Sequence, residues 1–147
     1  KGSVQERLGQ LQEAEDSFLK CLQKDPEDAT TLNYLGYMWA EHGKKLDDAY
    51  QWIRKALDLE PGSEAILDSM GWILFQQGKP EEALPYLEKA ESKLTEPDPT
   101  ILDHLGDVYL ALDRLPSAKE SFRKSLEIEF SEQVFKKWNR LLDGSVQ

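Results

Sequence analysis

One cysteine, two histidines and two methionines among 147 residues leave little of the usual material for side-chain chemistry. A single Cys21 builds no disulfide framework and says nothing of redox compartment. Its place on one apolar stripe with Phe18 and Leu22 predicts a small buried residue rather than a reactive thiol. His42 falls beside a turn. His104, next to Asp103 and near Asp107, could be drawn as a metal ligand, but the spacing gives no convincing set. Asp103 and Asp107 share one helical face from which His104 is displaced, so a solvated or half-packed imidazole is expected. No G-x-S-x-G, no phosphate loop and no Cys/His pair of known spacing occurs. The expectation is therefore a protein that is not an enzyme and needs no metal or cofactor.

Positive charge is also short. Eighteen Lys and Arg face 28 Asp and Glu, a formal net charge of −10. Phosphate binding needs a basic footprint, so nucleic acid is disfavoured as a partner, and so is an anionic membrane surface. No apolar run approaches the roughly 20 residues of a spanning helix, so membrane insertion by this segment is not expected. No signal peptide is visible. The chain opens without Met and inside a repeat, which predicts a fragment of a longer protein whose signal or anchor lies elsewhere. Localisation is left open between cytoplasm and cell envelope.

What is present in quantity is repetition. Residues 67–90 read LDSMGWILFQQGKPEEALPYLEKA. Leu67, Met70, Gly71 and Leu74 recur at helical spacing. Gly78 ends the run and Pro80 can open the next helix, with Glu81 and Glu82 in the first turn where the helix dipole favours them. Ala83, Leu87 and Ala90 form the second stripe. Gly71 lies mid-helix, where it costs about 1 kcal/mol against Ala; a close approach of the second helix near Ala83 would account for it. The unit recurs: Leu32–Leu35–Gly36–Trp39 precedes, Leu102–Leu105–Gly106–Tyr109 follows, and the three glycines are spaced 35 residues apart. The trailing stripes match as Ala49/Ile53/Ala56, Ala83/Leu87/Ala90 and Ala118/Phe122/Ser125, with a further copy at Ala14/Phe18/Cys21. Added length falls in the Gly43–Leu46 turn and the Ser92–Pro99 connection, where insertion costs little.

This pattern resembles the tetratricopeptide repeat (TPR), whose signature is W-x-x-L-G-x-x-Y, then A-x-x-x-F, then P, at a period near 34. The resemblance covers roughly residues 2–130; the leading Trp is Leu in every copy and Ser125 replaces the last small residue. It implies an all-α fold, a right-handed solenoid of antiparallel helix pairs with a C-terminal capping helix. The expected division is a truncated leading repeat over 1–28, repeats over 29–63, 64–98 and 99–130, and a final helix and tail over 131–147. Helices are predicted over 29–42, 46–58, 64–77, 80–93, 100–112, 115–128 and 131–142, with Ser63 an N-cap. Asp113-Arg114 replaces a turn glycine, so that turn is less sharply encoded. In the leading repeat, residues up to Leu8 are expected to end one helix and residues 11–24 to form its partner. If Gly2 is in phase with Gly36, the opening turns are missing, and Val4, Leu8, Leu11 and Phe18 should expose apolar surface. In the last helix Val134, Phe135, Trp138, Leu141 and Leu142 make one apolar face, while Lys136, Lys137 and Arg140 lie on others; a solvating cap is favoured over a partner-binding helix.

The resemblance also implies where a partner binds. In a TPR array the first helices line a concave groove. By register the inward residues are Thr30, Asn33, Tyr37, Ala40 and Glu41, then Ala65, Asp68, Trp72, Phe75 and Gln76, then Thr100, Asp103, Asp107, Leu110 and Ala111. Asn33, Tyr37, Glu41, Asp68, Trp72, Phe75, Asp103 and Asp107 are the candidate partner-binding residues. An aromatic floor with a row of carboxylates suits a peptide or protein segment carrying Lys or Arg and apolar side chains. The clamps that hold acidic peptide tails with Lys, Arg and Asn are not expected, since only Asn33 fits. The function implied is protein–protein interaction scaffolding; the phrases LNYLGY, LDSMGW and EEALPYLEKA are similar to repeats of bacterial TPR adaptors. The competing reading is a structural or self-association module, a homo-oligomer formed through the cut N-terminal face or the Trp138 helix.

Overall fold

The computed structural model describes residues 4–143, which form eight helices and no strand. They are α1 (Val4–Lys24), α2 (Ala29–Glu41), α3 (Leu46–Leu59), α4 (Glu64–Gln76), α5 (Pro80–Ser92), α6 (Pro99–Ala111), α7 (Leu115–Ile128) and α8 (Glu132–Asp143). The starts follow local chemistry. Asp28, Ser63 and Asp98 each cap a first turn by accepting backbone N–H bonds, which satisfies donors a helix leaves unpaired. Pro80 and Pro99 open helices at positions where a missing N–H is harmless.

Three turns between paired helices share one geometry. Lys44, Lys79 and Arg114 donate backbone bonds to the carbonyls of Trp39, Leu74 and Tyr109 at 3.1, 2.9 and 2.8 Å. Each turn has a left-handed residue at the matching position, Gly43 at φ 64°, Gly78 at φ 81° and Asp113 at φ 62°, and the first turn adds a second, Lys45 at φ 52°. Asp113 adopts the conformation despite its Cβ, as the short polar residues do more readily than others.

The repeated mid-helix glycines mark contact points. A Cβ on Gly36 would lie 2.5 Å from the Ile53 side chain, and one on Gly71 would lie 2.6 Å from Leu87 and 3.3 Å from the Ala83 carbonyl. On Gly106 it would collide with the Phe122 ring. Bare backbone at these positions is thus what lets α2 meet α3, α4 meet α5 and α6 meet α7. Leu35, Ala49, Ile53, Met70, Ala83, Leu87, Ala118 and Phe122 are buried in the seams. Ser125, which stands where other copies have Ala, is buried and donates to the Pro99 carbonyl at 2.8 Å.

The pairs stack in chain order. α2 also packs on α4, and α4 on α6, whereas no comparable packing joins α3 to α5 or α5 to α7 among the described residues. Leading helices that pack on one another, backed by trailing helices that pack on each other less closely, curl the stack with α2, α4 and α6 on the inside.

The leading end departs from expectation. α1 is one unbroken helix rather than two joined near residue 9. Gly9 lacks the left-handed φ of Gly43 and Gly78, and no proline follows it. Extending a formed helix adds a hydrogen bond per residue, which outweighs the roughly 1 kcal/mol that an internal Gly costs. Cys21 is exposed, not buried. Its counterparts Ala56 and Ala90 are buried in their repeats, while α1 packs chiefly on α2 among the described residues. Leu8, Leu11 and Phe18 are half-buried. The phase of Gly2 and the exposure of Val4 lie outside the described residues and side chains.

α8 rests on α7. Of its expected apolar face Val134 and Leu141 are buried, Trp138 is half-buried, and Phe135 and Leu142 remain exposed. Phe135 instead joins Phe130 and Trp138 in an aromatic row with ring centroids 6.0 and 5.9 Å apart.

Candidate interaction surface

The inner wall is built from one face each of α2, α4 and α6. α2 supplies Asn33, Tyr37 and Glu41, stacked at intervals of four residues; the Tyr37 hydroxyl donates to Glu41 at 3.1 Å. Burial first, then the neighbouring carboxylates of Glu41, Asp68 and Asp103, push the Tyr37 phenol well above its ordinary range, so it stays a donor. α4 supplies Asp68, Trp72 and Phe75, with the two rings stacked 5.1 Å apart. α6 supplies Asp103 and Asp107. Gln76 ties two rungs together by donating to the Ala40 carbonyl at 2.8 Å; Ala40 itself is buried, whereas Thr30, Ala65, Thr100 and Ala111 are exposed and Leu110 is half-buried.

The eight candidate residues divide into three environments. Tyr37, Trp72 and Phe75 are half-buried and Glu41 is exposed. Asn33 and Asp68 are buried, at 9 % and 8 % exposure. Asp103 and Asp107 are half-buried under α8. Trp72 is therefore partly a packing residue, and its indole Nε1 and the Asn33 Oδ1 are buried without a hydrogen-bond partner.

His104 corrects a sequence expectation. It is neither solvated nor half-packed but 4 % exposed. Its ring stacks on Trp72 with centroids 3.9 Å apart, and Nδ1 donates to Asp68 Oδ1 at 2.8 Å. Burial pushes its pKa down; the Asp68 hydrogen bond and the charges of Asp68, Asp103 and Asp107 outweigh that and hold it above the ordinary histidine value. The missed signal was spacing: Asp68 and His104 stand one repeat plus one residue apart, which puts them on facing turns of α4 and α6.

Lys137 is the second correction. Expected away from the contact face, it reaches across to α6, with Nζ 2.8 Å from Asp103 Oδ1 and 2.9 Å from Asp107 Oδ1, 5.1 Å above the Phe122 ring. Burial works against its charge, and the attraction of Asp107 and Asp103 more than restores it, leaving its pKa raised. Burial raises the Asp107 carboxyl despite that ammonium.

At the other end Glu15 of α1, buried and unforeseen, accepts from the Trp39 indole at 2.9 Å and from Lys45 Nζ at 2.9 Å. It pins α1 to α2 and its turn. Among the described residues no group of three or more His, Cys, Asp or Glu is placed to hold a metal ion, and no helix is long and apolar enough to cross a membrane.

A tetratricopeptide repeat model matches residues 1–64 and 69–131. The chain belongs to the tetratricopeptide repeat family: stacked helix pairs, fixed by glycine contacts at a constant period, are what that family is. It is 36 % identical over 107 residues to a TPR repeat-containing protein of Pseudomonas aeruginosa, covering 73 % of this chain and 18 % of that one. It is 30 % identical over 122 residues to the type IV pilus assembly protein PilF of the same organism, covering 82 % of this chain and 48 % of the relative. The chain thus spans less than half the length of either. Among solved structures, that of Pseudomonas aeruginosa PilF superposes with a TM-score of 0.81 at 26 % identity, covering 95 % of this chain and 63 % of the other. A thermophilic TPR protein of Thermus thermophilus gives 0.77 at 18 %, covering 94 % and 76 %. The first TPR of Spaghetti (RPAP3) bound to an HSP90 peptide gives 0.72 at 19 %, covering 84 % and 97 %. The architecture is that of the right-handed TPR solenoid with a C-terminal capping helix.

Proposed function

We propose that the chain is a protein-interaction scaffold whose inner wall receives a partner segment bearing Lys or Arg among apolar residues. The observation that carries this reading is the half-buried run of Tyr37, Trp72 and Phe75, flanked by Glu41 and backed by Asp68, on helix faces not consumed by pairing. Aromatic anchors supply contact area and carboxylates supply charge matching. Lys137 is an in-chain precedent, an ammonium seated on wall carboxylates. A structural neighbour was solved with a peptide bound, which supports the mode of use but not the ligand, since that peptide, SRMEEVD, is acidic near its end.

The experiment compares capture of native partners by wild type, Phe75→Ala and Glu41→Lys, followed by calorimetry on the partner identified. Phe75→Ala should weaken binding about tenfold or more, in the range of an anchor worth over 1 kcal/mol. Glu41→Lys should mainly slow association, most at low salt. Unchanged affinity in both variants removes the wall as the binding surface. Asp68 is a poor site for charge reversal because it is buried against His104.

A further inference from the structure

The wall contains a cleft of about 360 Å³ between the middle of α2 and the N-terminal ends of α4 and α6. Its apolar sides are Tyr34, Tyr37, Leu94 and Ile101, and its polar end is Asn33 with Asp68. Glu64 and Asp98 complete the acidic rim, and no Lys, Arg or His lines it. The distinguishing feature is Asn33. The residue is 9 % exposed, yet Oδ1 meets no donor. Buried carboxamide oxygens are almost always paired; Asn33 Oδ1 is sealed from solvent with no donor, and a turn of the side chain into the cleft that the residue lines would make it an acceptor there.

We infer that this cleft is a specificity pocket for one lysine or arginine side chain of the partner segment, its hydrocarbon stem between Tyr34, Tyr37, Leu94 and Ile101 and its cationic head donating to Asn33 Oδ1 beside Asp68. Resting on the scaffold reading, this assigns a residue type and a place to the cation that reading calls for. The chemistry matches part by part. A long aliphatic stem buries well along apolar surface while its head seeks acceptors. A cationic head has donors and no acceptor, which is the complement of an unpaired oxygen ringed by carboxylates. An acidic side chain would place charge against Glu64, Asp68 and Asp98, and an apolar one of equal length would leave Asn33 unsatisfied. The neighbouring Asp103 and Asp107 already hold Lys137 and Asp68 holds His104, so the oxygen without a donor in this cleft is that of Asn33.

The test uses the whole chain and two capped pentapeptides, acetyl-Ala-Ala-Lys-Ala-Ala-amide and its norleucine counterpart, which keeps the stem and lacks the ammonium. Each is titrated while the Asn33 side-chain amide and the Trp72 indole are followed by ¹H–¹⁵N correlation spectra. The lysine peptide should shift the Asn33 amide and bind at least fivefold more tightly than the norleucine peptide, with the preference shrinking at high salt. Asn33→Leu, of similar volume, should abolish the preference; Glu64→Gln on the rim, which leaves the packing intact, should reduce it. Equal binding of the two peptides, no binding of either, or shifts confined to residues outside the cleft would each overturn the pocket. The scaffold reading fails separately, through unchanged partner affinity in Phe75→Ala and Glu41→Lys.

Discussion

Asp68 and Asp103 occupy the same register position in consecutive repeats, yet their surroundings differ. Asp68 sits at 8 % exposure against the His104 imidazole of the next leading helix. Asp103, half-buried, meets the Lys137 ammonium of the capping helix. In both cases a wall carboxylate is answered by a basic group two helices further along the chain, so the pairs join rungs rather than decorate one. The difference is that the internal junction uses a buried, titratable partner locked under Trp72, while the terminal junction uses a permanently charged and more solvated one. Polar stitching inside the stack thus responds to pH through an imidazole, whereas stitching at its end rests on an ammonium whose pKa is raised.

The largest expected effect tests the burial contrast. Removing one member of a buried pair leaves an uncompensated charge, a loss of about 3 kcal/mol or more. His104→Ala should lower the urea unfolding free energy by that order at pH 6, also because Trp72 loses its stacked ring. Lys137→Ala should cost no more than about 1 kcal/mol, as for other partly solvated ion pairs. Comparable losses in the two variants would erase the distinction.

The pH dependence comes next. The folded His104 pKa lies above its ordinary value near 6.5. Protonation is therefore favoured by folding, the stabilisation is complete below that ordinary value, and it fades as pH rises through the folded one. The groups facing the ring are Asp68 from α4, Tyr37 from α2, its phenol held neutral across this range, Asp103 and Asp107 from its own helix, and beyond them Lys137 from α8. Wild-type stability should decline from pH 6 towards pH 9, and His104→Gln should remove that part of the slope while Lys137→Met keeps it. Direct titration of the imidazole by NMR supplies the check: a folded value below 6.5 reverses the sign and sinks the claim.

How much of this contrast a reader could find in the sequence depends on what repeats. Gly36, Gly71 and Gly106 recur at one period with matched partners, so the helix pairs and their contact points were visible, with element ends within a residue or two. Asp68 and Asp103 were placed on the wall by the same register. His104 was not, because burial of a histidine is decided by the neighbouring repeat, not by its own helix. Lys137 was missed for a related reason: α8 keeps helical amphipathicity but not the repeat spacing, so nothing local says that its lysine spans to α6. Cys21 and the unbroken α1 failed in the opposite way. There the repeat spacing continues through Ala14, Phe18 and Cys21, but among the described residues α1 is one helix and no leading partner covers that stripe.

The smallest effect concerns the terminal pair alone. Asp103, Asp107 and Lys137 form a three-way contact in which the ammonium is shared. A double-mutant cycle between Asp103→Asn and Lys137→Met should therefore return a coupling below about 1 kcal/mol, because Asp107 retains the lysine when Asp103 is neutralised. Adding Asp107→Asn should raise the total loss of coupling, since no carboxylate then remains for the ammonium. The coupling should shrink further at high salt, as solvent reaches both partners. A salt-independent coupling of several kcal/mol would mean that Lys137 is as enclosed as His104, and that both junctions are built alike.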